Sequence, residues 1–142
     1  GGIWASAITA TIGAVSFQNN TAENLGGAMH LSSNSDLEAT DMVVINNSAN
    51  RGGGISILNS VGDFVGGEIN NNYAWRGGGI FSIGSDLDFF SITLTQNNSE
   101  DIGGGLLSIS TNLVMDSTNV TFNSSDSSSG GGIMCINNDS TA

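Results

Sequence analysis

Residues 77–101 read GGGIFSIGSDLDFFSITLTQNNSED, and the architecture of the chain can be read from them. Three short apolar runs stand in this stretch, Ile80 to Ile83, Leu87 to Phe89 and Ile92 to Leu94. Turn formers separate them: Gly84-Ser85-Asp86, then Phe90-Ser91, then Gln96-Asn97-Asn98. Runs this short and interrupted do not suit a helix. They suit brief strands joined by tight turns.

The stretch is one copy of a series. A glycine cluster closed by an apolar residue recurs six times, ending at Ile3, Met29, Ile55, Ile80, Leu106 and Ile133. The intervals are 26, 26, 25, 26 and 27 residues. Ahead of the later clusters comes an Asn block: Phe17–Ala22 (FQNNTA), Val44–Ala49 (VINNSA) and Ile69–Ala74 (INNNYA). The fourth copy is read as Leu94–Glu100 with one extra residue, and the fifth as Phe122–Ser127 with Ser125 in place of Asn. A unit of three strands and three turns cannot bury a core alone, so copies must stack. The expected fold is all-β: a parallel β-helix over residues 1–142, about 26 residues per coil and roughly five coils. At about 4.8 Å per coil the stack is ~24 Å tall.

Stacking assigns the columns. Ile3, Met29, Ile55, Ile80, Leu106 and Ile133 should point inward, as should Ala5, Leu31, Ile57, Ser82, Ser108 and Cys135 two residues on. Phe17, Val44, Ile69, Leu94 and Phe122 should line the third sheet. Asn20, Asn47, Asn72 and Asn98 should form a hydrogen-bonded ladder along the axis. Glycines supply the close approach and positive φ of the next corner.

Composition narrows function. Thirteen acids face two bases, Arg51 and Arg76, and the net charge is −11. Nothing can neutralise nucleic-acid phosphates, and an anionic membrane surface repels such a chain. No apolar run approaches the roughly 20 residues of a membrane span. The compatible partners are cations, neutral glycans or a basic protein surface. Cys135 is the one cysteine and reads as a buried, inert thiol. The chain starts and stops inside a repeat. The expectation is a segment of something longer, whose ends meet more β-helix from the same chain or a head-to-tail neighbour.

GG[A/G]-Φ paired with F-x-x-N resembles the repeats of the chlamydial polymorphic outer-membrane proteins and of related adhesin-like β-helix proteins. FQNNTA with GGAM, at Phe17–Ala22 and Gly26–Met29, is the nearest copy. The resemblance implies a right-handed, single-stranded β-helix and an extracellular or cell-surface passenger used for adhesion or as a structural stalk.

Candidate sites follow from position. Sequons lie at Asn19, Asn46, Asn97, Asn119, Asn123 and Asn138, with Asn19, Asn46 and Asn97 placed at equivalent turns as exposed glycan acceptors. Phe81, Leu107 and Met134 should form an outward apolar contact stripe. Asp36, Asp63 and Asp88 fall at comparable places, with Glu38 and Asp86 near. They read as solvated turn acids, with calcium binding the sharper alternative. His30 reads as an exposed surface residue with no partner for base catalysis. Arg51 and Arg76 hold the same place in consecutive repeats and read as structural residues that stack or pair with acids such as Glu23 or Asp101, with ligand recognition the alternative. No catalytic residue, cofactor or metal ligand is assigned. The function expected is a non-enzymatic extracellular rod or adhesin stalk, and the alternative is a carbohydrate-binding or polysaccharide-degrading β-helix domain. Ice binding needs a regular Thr row, and Thr9, Thr11, Thr21, Thr40, Thr93, Thr95 and Thr121 do not recur in register.

Overall fold

The computed structural model describes residues 1–127 and 129–138. Among them every strand pairing is parallel and no helix occurs, so the chain is a β-solenoid of about five turns. The first sheet stacks Ile3–Ser6, Met29–Ser32, Ile55–Leu58, Ile80–Ile83, Leu106–Ile109 and Ile133–Ile136. Its register runs Ile3, Met29, Ile55, Ile80, Leu106, Ile133, which is the apolar column expected from the glycine spacing.

The second sheet holds two side-by-side runs. One contains Thr9–Ile12, Asp86–Phe90 and Asn112–Asp116, the other Ser16–Gln18, Thr93–Thr95 and Asn119–Thr121. In two coils these runs fuse into the ten-residue strands Asp36–Ile45 and Val61–Asn70. Phe17, Val44, Ile69 and Leu94 point inward from this sheet rather than from a third one.

The third sheet is Ser48–Arg51, Tyr73–Arg76, Asn98–Ile102 and Ser124–Ser125, a fourth strand per coil that the apolar pattern does not reveal. Its inward side chains are only Ala49, Ala74, Ser99 and Ser125. The glycine cluster explains why they are small. A Cβ on Gly53 would collide with the Tyr73 carbonyl, and one on Gly78 with that of Asn98. The two backbones meet directly, so neither side has room for a larger residue. The leading glycine of each cluster acts differently. Gly52, for example, sits at φ +66°, where the chain reverses onto the first sheet.

The core is a continuous apolar column inside these sheets. It includes Met29, Leu31, Leu37, Val44, Ile55, Ile57, Phe64, Ile69, Ile80, Leu87, Leu94 and Leu106. Phe64 and Phe89 pack across coils with ring centroids 5.3 Å apart. Full burial of each such side chain stabilises by roughly 1.5–3 kcal/mol. Cys135 keeps the inward register but lies on the last described strand, and its thiol is exposed rather than buried.

Two polar ladders brace the corners. Asn20, Asn47, Asn72, Asn97 and Asn123 form the first. Each Nδ2 donates to the Oδ1 of the next at 2.9–3.0 Å, and that same Oδ1 accepts the preceding coil's backbone N–H. The fourth member is Asn97, not Asn98. Leu94-x-x-Asn97 has the spacing of Phe17-x-x-Asn20, and the extra residue is absorbed later, in a bulge between Ser99 and Ile102. The fifth member is Asn123, because Val120 and not Phe122 aligns with Leu94. Phe122 is 84% exposed in the left-handed turn position, not inward.

The second ladder is one of hydroxyls. Ser35, Ser60 and Ser85 each donate to a carbonyl two or three residues back in their own coil, at 2.7–2.9 Å. The hydroxyls of Ser60 and Ser85 also accept the backbone N–H of the corner serine one coil earlier, at 3.2–3.3 Å. Thr111 and Asn138 continue this corner.

Candidate functional site

The interior is given over to packing, so function belongs to the outward columns. On the second sheet the acids form two rows. Glu38, Asp63 and Asp88 share a register position in three successive coils, while Asp36 and Asp86 share the neighbouring one, with Val61 between them. Asp63 therefore lines up with Glu38 and Asp88 rather than with Asp36. Partial burial, then the charges of Asp88, Asp36 and Glu38, push the Asp63 carboxyl above its usual range. Like charges one coil apart repel. Among the described residues no three metal-ligating side chains converge on one point.

Beyond Trp4, which is 81% exposed on the first coil, the outward column of the first sheet is covered. Phe81 and Leu107, expected on an exposed stripe, are 3% and 0% exposed, and Met134 is half-buried. The glycine corner folds back over them: a Cβ on Gly103 or Gly130 would lie 2.7 Å from the Cβ of Leu107 or Met134. Arg51 completes the cover over Phe81, its guanidinium 5.8 Å from the ring centroid. His30 lies in the same column and is buried, not exposed. Trp4 meets its ring edge-on at 6.0 Å, and its Nδ1 has no hydrogen-bond partner. Burial lowers the His30 pKa, and a hydrogen bond with the Ser56 backbone opposes the shift.

The six sequons fall into two groups. Asn19 and Asn46 occupy exposed left-handed turn positions at φ 57° and 56°, and Asn119 is exposed on the second sheet. Asn97 and Asn123 are ladder members, and Asn97 is fully buried, so it is not the equivalent of Asn19 and Asn46. Asn138 has its Nδ2 bonded to the Ser108 hydroxyl at 2.7 Å. A sugar attaches through the side-chain nitrogen, which these three residues use internally.

The third sheet presents a different face, which sequence reasoning did not find. Tyr73 and Trp75, two residues apart on one strand, project from the same side and are 43% and 39% exposed. Ser48 and Asn98 flank Tyr73 in register. The Tyr73 hydroxyl donates to Glu100 on the next coil, which holds the phenol protonated and raises its pKa. The Arg76 guanidinium lies over the Trp75 indole at 4.2 Å and pairs with Asp101 at 2.6 Å. Arg76 thus pairs with an acid, whereas Arg51 stacks on an aromatic ring. Both aromatic rings are held before any ligand arrives. The available signal was the alternation Tyr73-Ala74-Trp75 directly after an Asn block.

No protein-family model, curated protein or solved structure matches the chain.

Proposed function

We propose that the chain is a non-enzymatic, extracellular, adhesin-like structural segment that works as a stiff rod. The carrying observation is the unbroken Asn ladder through five coils, from Asn20 to Asn123. Each amide bridges its neighbours, so bending the stack stretches buried hydrogen bonds whose loss costs about 1–3 kcal/mol each. The GGAM and FQNNTA copies support kinship with the adhesin-like β-helix repeats, and with it a surface setting. The acid rows support the display role, since charged side chains on outward columns discourage lateral aggregation. The single imidazole is packed against Trp4 rather than held by a carboxylate, which favours a structural over a hydrolytic role.

In this reading the coil ends stack on further β-helix, and glycans occupy Asn19, Asn46 and Asn119. Analytical ultracentrifugation with negative-stain microscopy tests the stacking. Particles lengthening in steps of roughly 24 Å as concentration rises are expected; a compact monomer at every concentration overturns head-to-tail assembly. Peptide mapping of natively expressed material tests the surface setting, with sugar expected on the three exposed sequons and on none of the ladder residues.

A further inference from the structure

The geometry points to the Tyr73–Trp75 face of the third sheet as a binding site for neutral oligosaccharides. The inference goes beyond the rod reading and does not depend on it, because the face lies within four consecutive coils of this chain.

Sugar rings offer two chemistries, a patch of C–H groups and a rim of hydroxyls. The rings of Tyr73 and Trp75 supply flat apolar surface for the first. Both are already oriented, by Glu100 and by Arg76, so little rotamer freedom is lost on binding. The rim meets acceptors and donors on either side. Glu100 has a second carboxylate oxygen besides the one held by Tyr73, and Asn98 and Ser124 present an amide and a hydroxyl already linked at 3.1 Å. Carboxylates and amides pair with hydroxyl groups in two-point arrangements.

Charge selects among glycans. Glu100 and Asp101 stand at the face, and the whole chain carries −11, so sulfated or uronic-acid polymers are repelled. Area selects against a protein partner. Two half-exposed rings among Ser48, Asn98, Glu100 and Ser124 fall far short of the roughly 800 Å² per partner that a stable protein interface needs.

The test is isothermal titration with four probes, cellotetraose, mannotetraose, chitotetraose and maltotetraose, and a heparin tetrasaccharide as the polyanionic control. Saturable binding of at least one neutral probe is expected, with Kd near ~1 mM, and none of heparin. Trp75→Ala should weaken it about tenfold or more, and Glu100→Gln severalfold. A Trp4→Phe background leaves Trp75 the one tryptophan, and its emission should then shift on titration. Circular dichroism of Trp75→Ala should match the parent, because the side chain lies outside the core, and loss of the Arg76 contact should lower its melting temperature only slightly. Any of three results overturns the proposal: no saturable binding of any neutral probe, binding unchanged in Trp75→Ala, or heparin binding as tightly as the neutral probes. Self-association abolished by Trp75→Ala, with no sugar binding, would instead make this face a protein contact. Rod length in the ultracentrifuge should be the same for all variants, which separates failure here from failure of the rod reading.

Discussion

The two braced corners solve one problem with different chemistry. At each, the chain turns sharply and leaves backbone groups pointing inward, where water cannot reach them. The Asn corner uses a side chain that both donates and accepts. Asn47 gives its Nδ2 to the Phe17 carbonyl one coil back, to Ile45 in its own coil and to Asn72 one coil on. The Ser corner uses a hydroxyl with a single proton. Ser60 gives it to Leu58 and accepts the Ser35 N–H, so it joins two coils and not three. Burial does not distinguish the two columns, so the Asn ladder is expected to be the stronger because its side chain carries more donors.

The largest loss is expected at the Asn corner. Asn72→Ala should destabilise by about 3 kcal/mol, because it strands the Asn47 N–H and the Val44 carbonyl without partners. Asn72→Asp should be at least as damaging, since a carboxylate accepts but cannot donate to Asn97 or Val44. Urea denaturation measures both. Ser60→Ala removes one donor and one acceptor and should cost about 1 kcal/mol. If the two alanine variants lose equal stability, donor count is not what separates the corners.

The exposed turn beside the Asn corner should matter less. Asn71 sits at φ 53°, so Asn71→Ala should cost about 1 kcal/mol while Asn71→Gly is near neutral.

The smallest effect separates corners from faces, because neither corner holds a titratable group. His30 has a folded pKa below its unfolded value near 6.5, so the unfolded chain takes up the proton first. Its contribution is intact above pH 6.5 and is lost as pH falls below that value toward the folded pKa. Melting temperature should drop over that window, and His30→Gln should flatten the drop. Asp63 acts with the opposite sign: partial burial first, and the charges of Asp88, Asp36 and Glu38 second, raise its pKa, so the folded chain takes up the proton first and acidification relieves both costs. Asp63→Asn should therefore raise the melting temperature at neutral pH.

Much of the fold was legible in the residues. A period of about 26 and the column from Ile3 to Ile133 match the register of the first sheet residue by residue. Local phase was harder to read. Asn97 and Asn98 are adjacent and chemically identical; the spacing from Leu94 selects Asn97, and the extra residue that obscured this is absorbed beyond it, between Ser99 and Ile102. Phe122 drew the fifth repeat out of phase because an aromatic ring outranks Val120 as a core candidate. The Ser corner recurs at Ser35, Ser60, Ser85 and Thr111, but hydroxyl residues are too common here for that recurrence to stand out. The strand carrying Tyr73 and Trp75 was hidden because its inward residues are small.

Coil length, coil number and the first sheet's interior column are properties of the amino-acid order alone. They follow from periodicity, which survives any single local error. Which outward side chains meet water was settled only by the folded chain. Phe81, Leu107 and His30 point away from the core and are nevertheless buried, because the glycine corner folds back across them. Tyr73 and Trp75 also point outward, from another sheet, and stay exposed. Alternation tells which side of a strand a residue occupies; what lies on that side depends on where the chain goes next.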